Sequence, residues 1–246
     1  MSYSIAQSFD EWAEFDELWS SLQNYGDEDF YRTAIEKYGR PALELGVGYG
    51  RMACRTHPEW GVDLSPESLE RCRKRVNPSV QLLTADIGDY SLPDPVPFSY
   101  APLNTFNHVL DSQARVQAFR NIRRNTVKGG RLLFDSHVMT ERQRRERHLR
   151  VFNPVWTESH AFYYAEKIID FERWIFEVTG SIEYVSSGVV ERKVHYRGPR
   201  RAYIPPHQFA IELGRAGWYV EGAWGDFEGT LLNEASMRQV WLAVNP

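Results

Sequence analysis

The run Ala42-Leu43-Glu44-Leu45, followed at once by Gly46-Val47-Gly48-Tyr49-Gly50, constrains this chain more than any other feature. Four mostly apolar residues before a turn signal read as a short buried strand. Three glycines in the next five residues read as a tight turn that a ligand can approach at the strand's carboxyl end. Two familiar phosphate-binding turns do not fit. A dinucleotide turn needs its third glycine three positions after the second, and Arg51 stands there. No Gly-Lys-Ser/Thr follows, which excludes a P-loop.

The downstream pattern places that turn in an α/β sheet. Trp60–Asp63 is a second short strand, Val80–Thr84 a third, Phe98–Pro102 a fourth and Arg131–Asp135 a fifth. Between them, Ser65-Pro66 opens a helix to about Val76, and Asp111 or Ser112 opens one to about Arg124. Lys128-Gly129-Gly130 reads as a turn. Strands alternating with helices imply a parallel sheet covered on both faces. Ahead of it, residues 8–22 place Trp12, Phe15, Trp19 and Leu22 at helical spacing, and a second helix starts at Asp27 or Asp29 and stops at Gly39.

After His137 the texture changes. Thr140 with Gln143 resembles a capping box for a basic helix over 141–150, read as a solvated face rather than a phosphate site. Residues 155–197 read as an antiparallel meander broken at Gly180 and at Ser186-Ser187-Gly188. Pro205-Pro206 opens a helix to about Ala216, and β runs follow near 219–223 and 239–244. Three parts result: 1–40 as a helical lid, 41–139 with 204–246 as the sheet domain, and 140–203 as an insertion.

Composition narrows the function classes. With 29 basic against 33 acidic residues in 246, the net charge is −4, and the pI near 6.0 argues against a nucleic-acid binder. No apolar run approaches the roughly 18–20 residues that span a bilayer. The acids Asp10, Glu11, Glu14, Asp16 and Glu17 are unlike a targeting leader, and only two cysteines are present, so a cytoplasmic location is expected. Cys54 and Cys72 read as structural thiols, and no Cys/His cluster has metal-ligand spacing, so no metal is expected. Aromatic residues make up 14% of the chain, enough for some to line a pocket as well as a core.

Three acids follow three successive strands: Glu44 beside the glycines, Asp63 at the end of the second strand, and Asp86-Ile87 after the third. Asp63 can accept from two ribose hydroxyls, or cap the helix at Ser65. Asp86 offers an acceptor to an exocyclic amine beside an apolar Ile87. Together, Glu-x-Gly-x-Gly-x-Gly, these acids and VKGGRLLFD (127–135) resemble class I S-adenosylmethionine-dependent methyltransferases. The tail 201–229, with its Ala-Gly-aromatic turn, is similar to the small-molecule type that modifies sugars, amino acids or natural products.

The resemblance implies a Rossmann-like α/β sheet, mostly parallel with an antiparallel last strand, under a helical lid and beside an inserted meander. It implies S-adenosylmethionine as cofactor, S-adenosylhomocysteine as product, and a nitrogen or oxygen of a small molecule as acceptor. Glu44 would then help hold the methionine end, Gly46, Gly48 and Gly50 the turn beneath it, Asp63 the ribose, and Asp86 and Ile87 the adenine. Leu64 and Leu103 complete the implied cofactor set. The Gly50–Asp63 segment is shorter than the family's, so its helix should be abbreviated. The N-terminal aromatic stripe would pack as a lid over the cofactor.

His108, in the loop beyond the fourth strand, is the candidate general base, with an ordinary histidine pKa near 6.5 suited to the task. His137 is the second candidate. A domain that binds the cofactor without turnover is the alternative, and a nicotinamide-dependent oxidoreductase is disfavoured by its glycine spacing. Association of two copies through the meander edge, with no nucleic-acid or membrane partner, completes the expectation.

Overall fold

The computed structural model describes residues 4–139 and 150–246. Helix α1 (Ile5–Ser20) starts at a capping box in which Ser4 Oγ accepts from the Gln7 amide at 3.2 Å and the Gln7 side chain accepts from the Ser4 amide at 2.9 Å. It therefore begins and ends earlier than the expected 8–22, and Leu22 falls beyond it with 41% exposure. Helix α2 (Glu28–Tyr38) leads through Gly39 into β1 (Ala42–Leu45). The short Gly50–Asp63 segment leaves room for only one turn, α3 (Ala53–Thr56), before β2 (Trp60–Asp63). Helix α4 (Pro66–Arg73), capped by Ser65, precedes β3 (Gln81–Thr84) and β4 (Val96–Ala101). Helix α5 (Ser112–Arg124), capped by Asp111, precedes β5 (Thr126–His137).

The expected turn at Lys128-Gly129-Gly130 lies inside β5. It is a bulge rather than a reversal, because the Gly129 amide donates to the Asn245 carbonyl at 2.7 Å and the Asn245 amide donates to Gly130 at 2.9 Å. The anticipated Thr140–Gln143 capping box and basic helix lie outside the described residues, except Arg150, which begins a strand.

Residues 150–202 form a second, antiparallel sheet: β6 (Arg150–Val151), β7 (Val155–Trp156), β8 (His160–Asp170), β9 (Ile175–Ser186), β10 (Val189–Arg197) and β11 (Arg201–Ala202). Its first long hairpin turns at residues 171–174, not at Gly180, which lies within β9. A side chain at Gly180 would meet the Phe15 ring of α1 at 2.5 Å, and one at Gly198 would meet the Trp12 ring at 2.9 Å. Both glycines are seats for α1. Phe15, Trp12 and Trp19 pack there with Phe162, Val178, Ile182 and Tyr196.

Helix α6 (Pro206–Arg215), β12 (Tyr219–Trp224) and β13 (Arg238–Val244) complete the main sheet, ordered β12-β13-β5-β4-β1-β2-β3. Strands β1 to β5 run parallel, and β13 lies antiparallel to β5 and to β12. Phe106, Phe119, Phe134, Phe209 and Leu213 bury one face of this sheet, and Tyr31, Ile35, Phe98 and Leu242 the other. The chain order reverses between β1 and β4, which opens a crevice at their carboxyl ends.

Candidate active site

At that crevice Gly46 and Gly48 take positive φ values of 65° and 54°. The Gly46 and Val47 amides donate to the Val62 carbonyl at 2.8 and 3.1 Å, which folds the turn back onto β2. A Cβ on Gly46 would meet Thr105 Cγ2 at 2.7 Å, so this glycine admits the loop after β4. A Cβ on Gly48 would meet nothing within 4 Å, because Gly48 faces a cavity of about 480 Å³. That volume lies in the ordinary range for small-molecule sites, about 300–1,000 Å³. Gly50 does not line the cavity. A Cβ there would meet Cys72 Sγ at 2.9 Å, so this glycine serves the packing of α4. Cys72 is buried, and its thiol is pushed up to about 12, as befits a structural residue.

All three strand-end acids reach the cavity wall. Glu44 is 1% exposed and accepts from the Tyr100 hydroxyl at 2.8 Å. Burial raises it to about 8, because the Tyr100 hydrogen bond and the Arg51 charge do not offset the loss of water. Asp63 accepts from the Gly48 amide through Oδ2 at 2.8 Å and from the Ser65 amide through Oδ1 at 2.9 Å. It thus closes the glycine turn and also steadies the start of α4, although Ser65 itself is the cap. Burial raises its pKa as well, against these backbone donors. Asp86 is exposed, and its Oδ1 accepts from the Gly88 amide at 2.7 Å. Leu64 and Ile87 line the apolar wall between the two aspartates.

The loop beyond β4 carries the opposite wall. Leu103 and Asn104 both adopt the left-handed region, with φ of 54° and 67°. Such strain persists only where the surroundings impose it. Buried Asp135 does so, with its Oδ1 accepting from the Leu103 amide at 2.8 Å and the Tyr31 hydroxyl at 2.7 Å, and its Oδ2 from Arg238 at 2.6 Å. Asn104 Oδ1 accepts from the His137 amide at 2.6 Å and lies 2.7 Å from its Nδ1. His137 therefore braces the loop and does not line the cavity.

His108 lines the cavity, edge-on to Phe9 with ring centroids 5.1 Å apart. Its Nδ1 lies 3.1 Å from the Arg200 carbonyl, which can only accept, so the proton sits on Nδ1 and Nε2 keeps its lone pair. The expected ordinary pKa is corrected: burial, and then the Arg201 charge, push His108 down to about 4.

Helix α1 roofs the cavity with Ile5, Phe9, Trp12, Ala13, Asp16 and Ser20. It is latched on both sides. Glu14 accepts from the Tyr184 and Tyr196 hydroxyls at 2.9 and 2.7 Å, and Glu17 pairs with Arg71 at 2.8 Å and Arg75 at 3.2 Å. Asp10 Oδ1 accepts from the Ser65 hydroxyl at 2.5 Å. Asp16, Tyr49 and Arg51 also line the cavity, and no motif singles them out as site residues. The available signal was the helical series 5-9-12-16-20, which continues three apolar residues with Asp16 and Ser20 on the same face.

Residues 42–130 match a family model described as a methyltransferase domain. No curated protein matches the chain. Among solved structures, the CcbJ methyltransferase from Streptomyces caelestis is 18% identical, with a TM-score of 0.79 over 98% of this chain and 99% of that one. An S-adenosylmethionine-dependent methyltransferase from Clostridium acetobutylicum is 15% identical, with a TM-score of 0.77 over 94% and 96%. An S-adenosylmethionine-bound amino pentose methyltransferase from Micromonospora echinaspora, involved in calicheamicin biosynthesis, is 14% identical, with a TM-score of 0.72 over 100% and 98%. At these identities the likeness is one of fold.

Proposed function

We propose, from a chain whose residues 42–130 match a methyltransferase-domain model and whose fold is that of class I methyltransferases, that it methylates a nitrogen or oxygen of a small molecule with S-adenosylmethionine as donor. One observation carries this reading: Glu44, Asp63 and Asp86 meet an open glycine turn around a single cavity. The donor set fits that cofactor. Asp63 keeps acceptor capacity toward the cavity for a ribose diol, and Asp86 keeps one oxygen for an exocyclic amine. Ile87, Leu64 and Leu103 offer apolar surface to the adenine and to the thioether region. Gly46 and Gly48 let the methionine end lie on backbone, and Glu44 helps hold it from below.

When bound, the cofactor supplies a methyl carbon made electrophilic by its sulfonium sulfur. The chain's residues hold the acceptor in line with that carbon and exclude water from it. Phe9, Trp12, Val109, Leu110 and Pro199 give the acceptor a mostly apolar bed. His108 Nε2 accepts a hydrogen bond from the acceptor's N–H or O–H and aims its lone pair. With its basicity reduced, His108 orients the acceptor more than it drives deprotonation. The description of one structural neighbour as an amino pentose methyltransferase supports a small-molecule acceptor.

Calorimetry tests the cofactor assignment: S-adenosylmethionine and S-adenosylhomocysteine should bind, and NAD and ATP much more weakly. Asp63→Ala should cost about 1.5–3 kcal/mol of that affinity, the worth of hydrogen bonds to a charged group. Unchanged affinity in the variant would place the ribose elsewhere.

A further inference from the structure

The segment that returns from the antiparallel sheet to the main one, residues 200–204, is held through its carbonyls at alternate positions. The Arg200 carbonyl lies 3.1 Å from His108 Nδ1, the Ala202 carbonyl accepts from Asn107 Nδ2 at 2.8 Å, and the Ile204 carbonyl accepts from Gln239 Nε2 at 2.8 Å. Its other edge faces β9, with Arg201 opposite Phe176 and the Tyr203 amide donating to the Trp174 carbonyl at 3.1 Å. This alternation is that of an extended strand, so a shift at one carbonyl is a shift at its neighbours. Asn107 is 1% exposed, and its Oδ1 finds no hydrogen-bond partner among the described residues. A fold that needed only packing there would not bury an unsatisfied amide oxygen, so the Nδ2 bond is what the asparagine supplies. Charge enters from the same segment. Arg201 pairs with buried Glu166, to which the Tyr164 hydroxyl donates at 3.1 Å, and its guanidinium lies 6.0 Å from the centre of the Tyr164 ring. His108 meets the Phe9 ring from α1 and feels the Arg201 charge from β11, while nearby Asp111 spends an oxygen on the Ala114 amide.

We propose that Asn107 and Arg201 are positioning residues for the histidine that faces the acceptor: Asn107 locks the Arg200 carbonyl onto Nδ1, and Arg201 keeps a second positive charge off the ring. The proposal deepens the methyl-transfer reading and rests on it. With the proton fixed on Nδ1, Nε2 offers a lone pair. The atom to be methylated must then arrive bearing hydrogen, as an uncharged amine or a hydroxyl does. An alkylammonium, which bears hydrogen but no lone pair, is disfavoured beside the same arginine.

Long-range proton–nitrogen correlation spectra of the histidine rings test this without any acceptor, the His108 signals being identified by their loss in His108→Gln. The wild type should show the Nδ1–H tautomer and titrate well below an ordinary histidine. Asn107→Leu should populate the Nε2–H tautomer beside it, and Asn107→Ala serves the same comparison should the leucine variant fold poorly. Arg201→Met should raise the His108 midpoint by about one pH unit or more, whereas Glu166→Gln should not raise it. A merely structural role would loosen the site in both variants and move both midpoints toward about 6.5. That joint rise, a pure Nδ1–H ring in the Asn107 variants, or equal midpoints in wild type and Arg201→Met overturns the proposal and leaves the methyl-transfer reading standing. A chain that binds no S-adenosylmethionine in the calorimetry above overturns that reading and leaves these spectra unchanged.

Discussion

Replacing Gly180 by alanine tests how helix α1 is seated, because the sign of the effect decides the matter. Gly180 lies within β9 and is not among the residues with positive φ, so alanine meets no backbone objection there. On an open strand the change would stabilise the fold by about 0.4–1 kcal/mol through the unfolded chain. Here the new methyl would stand 2.5, 2.7 and 2.8 Å from three carbons of the Phe15 ring, which is fully buried. Overpacking of this kind costs about 1–3 kcal/mol, leaving a net loss of up to about 2.5 kcal/mol. For a chain of this size that lowers the melting temperature by up to roughly 10 °C, where an open site would raise it by a few degrees. Gly214, in helix α6 with nothing within 4 Å of its added Cβ, is the control, and Gly214→Ala should stabilise by up to about 1 kcal/mol. In a Phe15→Leu background the Gly180→Ala penalty should shrink, a coupling of about 0.5–3 kcal/mol in the double-mutant cycle. Calorimetric melting of the four proteins of the cycle and of the Gly214→Ala control gives the answer. A Gly180→Ala protein as stable as wild type, with additive behaviour in the cycle, would refute the seating of Phe15 on β9.

Three further outcomes are expected. His108→Ala should cut turnover by roughly 10²-fold with cofactor affinity intact, and a His108 near 4 should put no acid limb at pH 6–7 on kcat/KM; a histidine-dependent limb at 6–7 would show that the ring is not desolvated in the complex. Glu44 holds its proton up to about 8 in the folded chain but only to the ordinary carboxylate range when unfolded, so its contribution to stability falls as pH rises between the two. Glu44→Gln should therefore raise the melting temperature at pH 8 relative to wild type and not at pH 4.5, and the same difference at both pH values would sink that sign. Hydrogen exchange of residues 8–20 should slow when S-adenosylhomocysteine binds, as for a lid closing on its ligand; equal protection with and without ligand would leave α1 a static packing helix.

What could be read from the sequence follows from how locally each feature is encoded. The strand–turn–helix alternation between Pro41 and Asp135 is carried by short apolar runs and their caps, and the acids 44, 63 and 86 fall at strand ends because the strands end there. The misreadings have one cause: a glycine or a helix face whose reason lies far along the chain. Gly180 resembles a break until Phe15, on another element, occupies the missing side chain's place. Gly129-Gly130 resembles a reversal until Asn245 pairs with both. His108 looks ordinary until the Arg200–Arg201 segment of the inserted sheet covers it.

Helix α1 shows how the same limit hides a site. Its aromatic series Trp12, Phe15, Trp19 is visible at helical spacing and seats on the inserted sheet, while a second series, Ile5, Phe9, Trp12, Asp16, Ser20, faces the cavity. Trp12 belongs to both, so α1 is a two-faced wedge rather than a cover with one greasy side. A wedge transmits what happens on either face: a ligand packed under Phe9 and Trp12 bears on a helix whose Glu14 is held by Tyr184 and Tyr196 from the other side. The antiparallel sheet and the cavity wall are thereby joined through one helix of 16 residues. Substitutions at Gly180 or Gly198, whose seats lie on the sheet side, should then be felt at the cavity, because the rings they receive belong to the helix that roofs it.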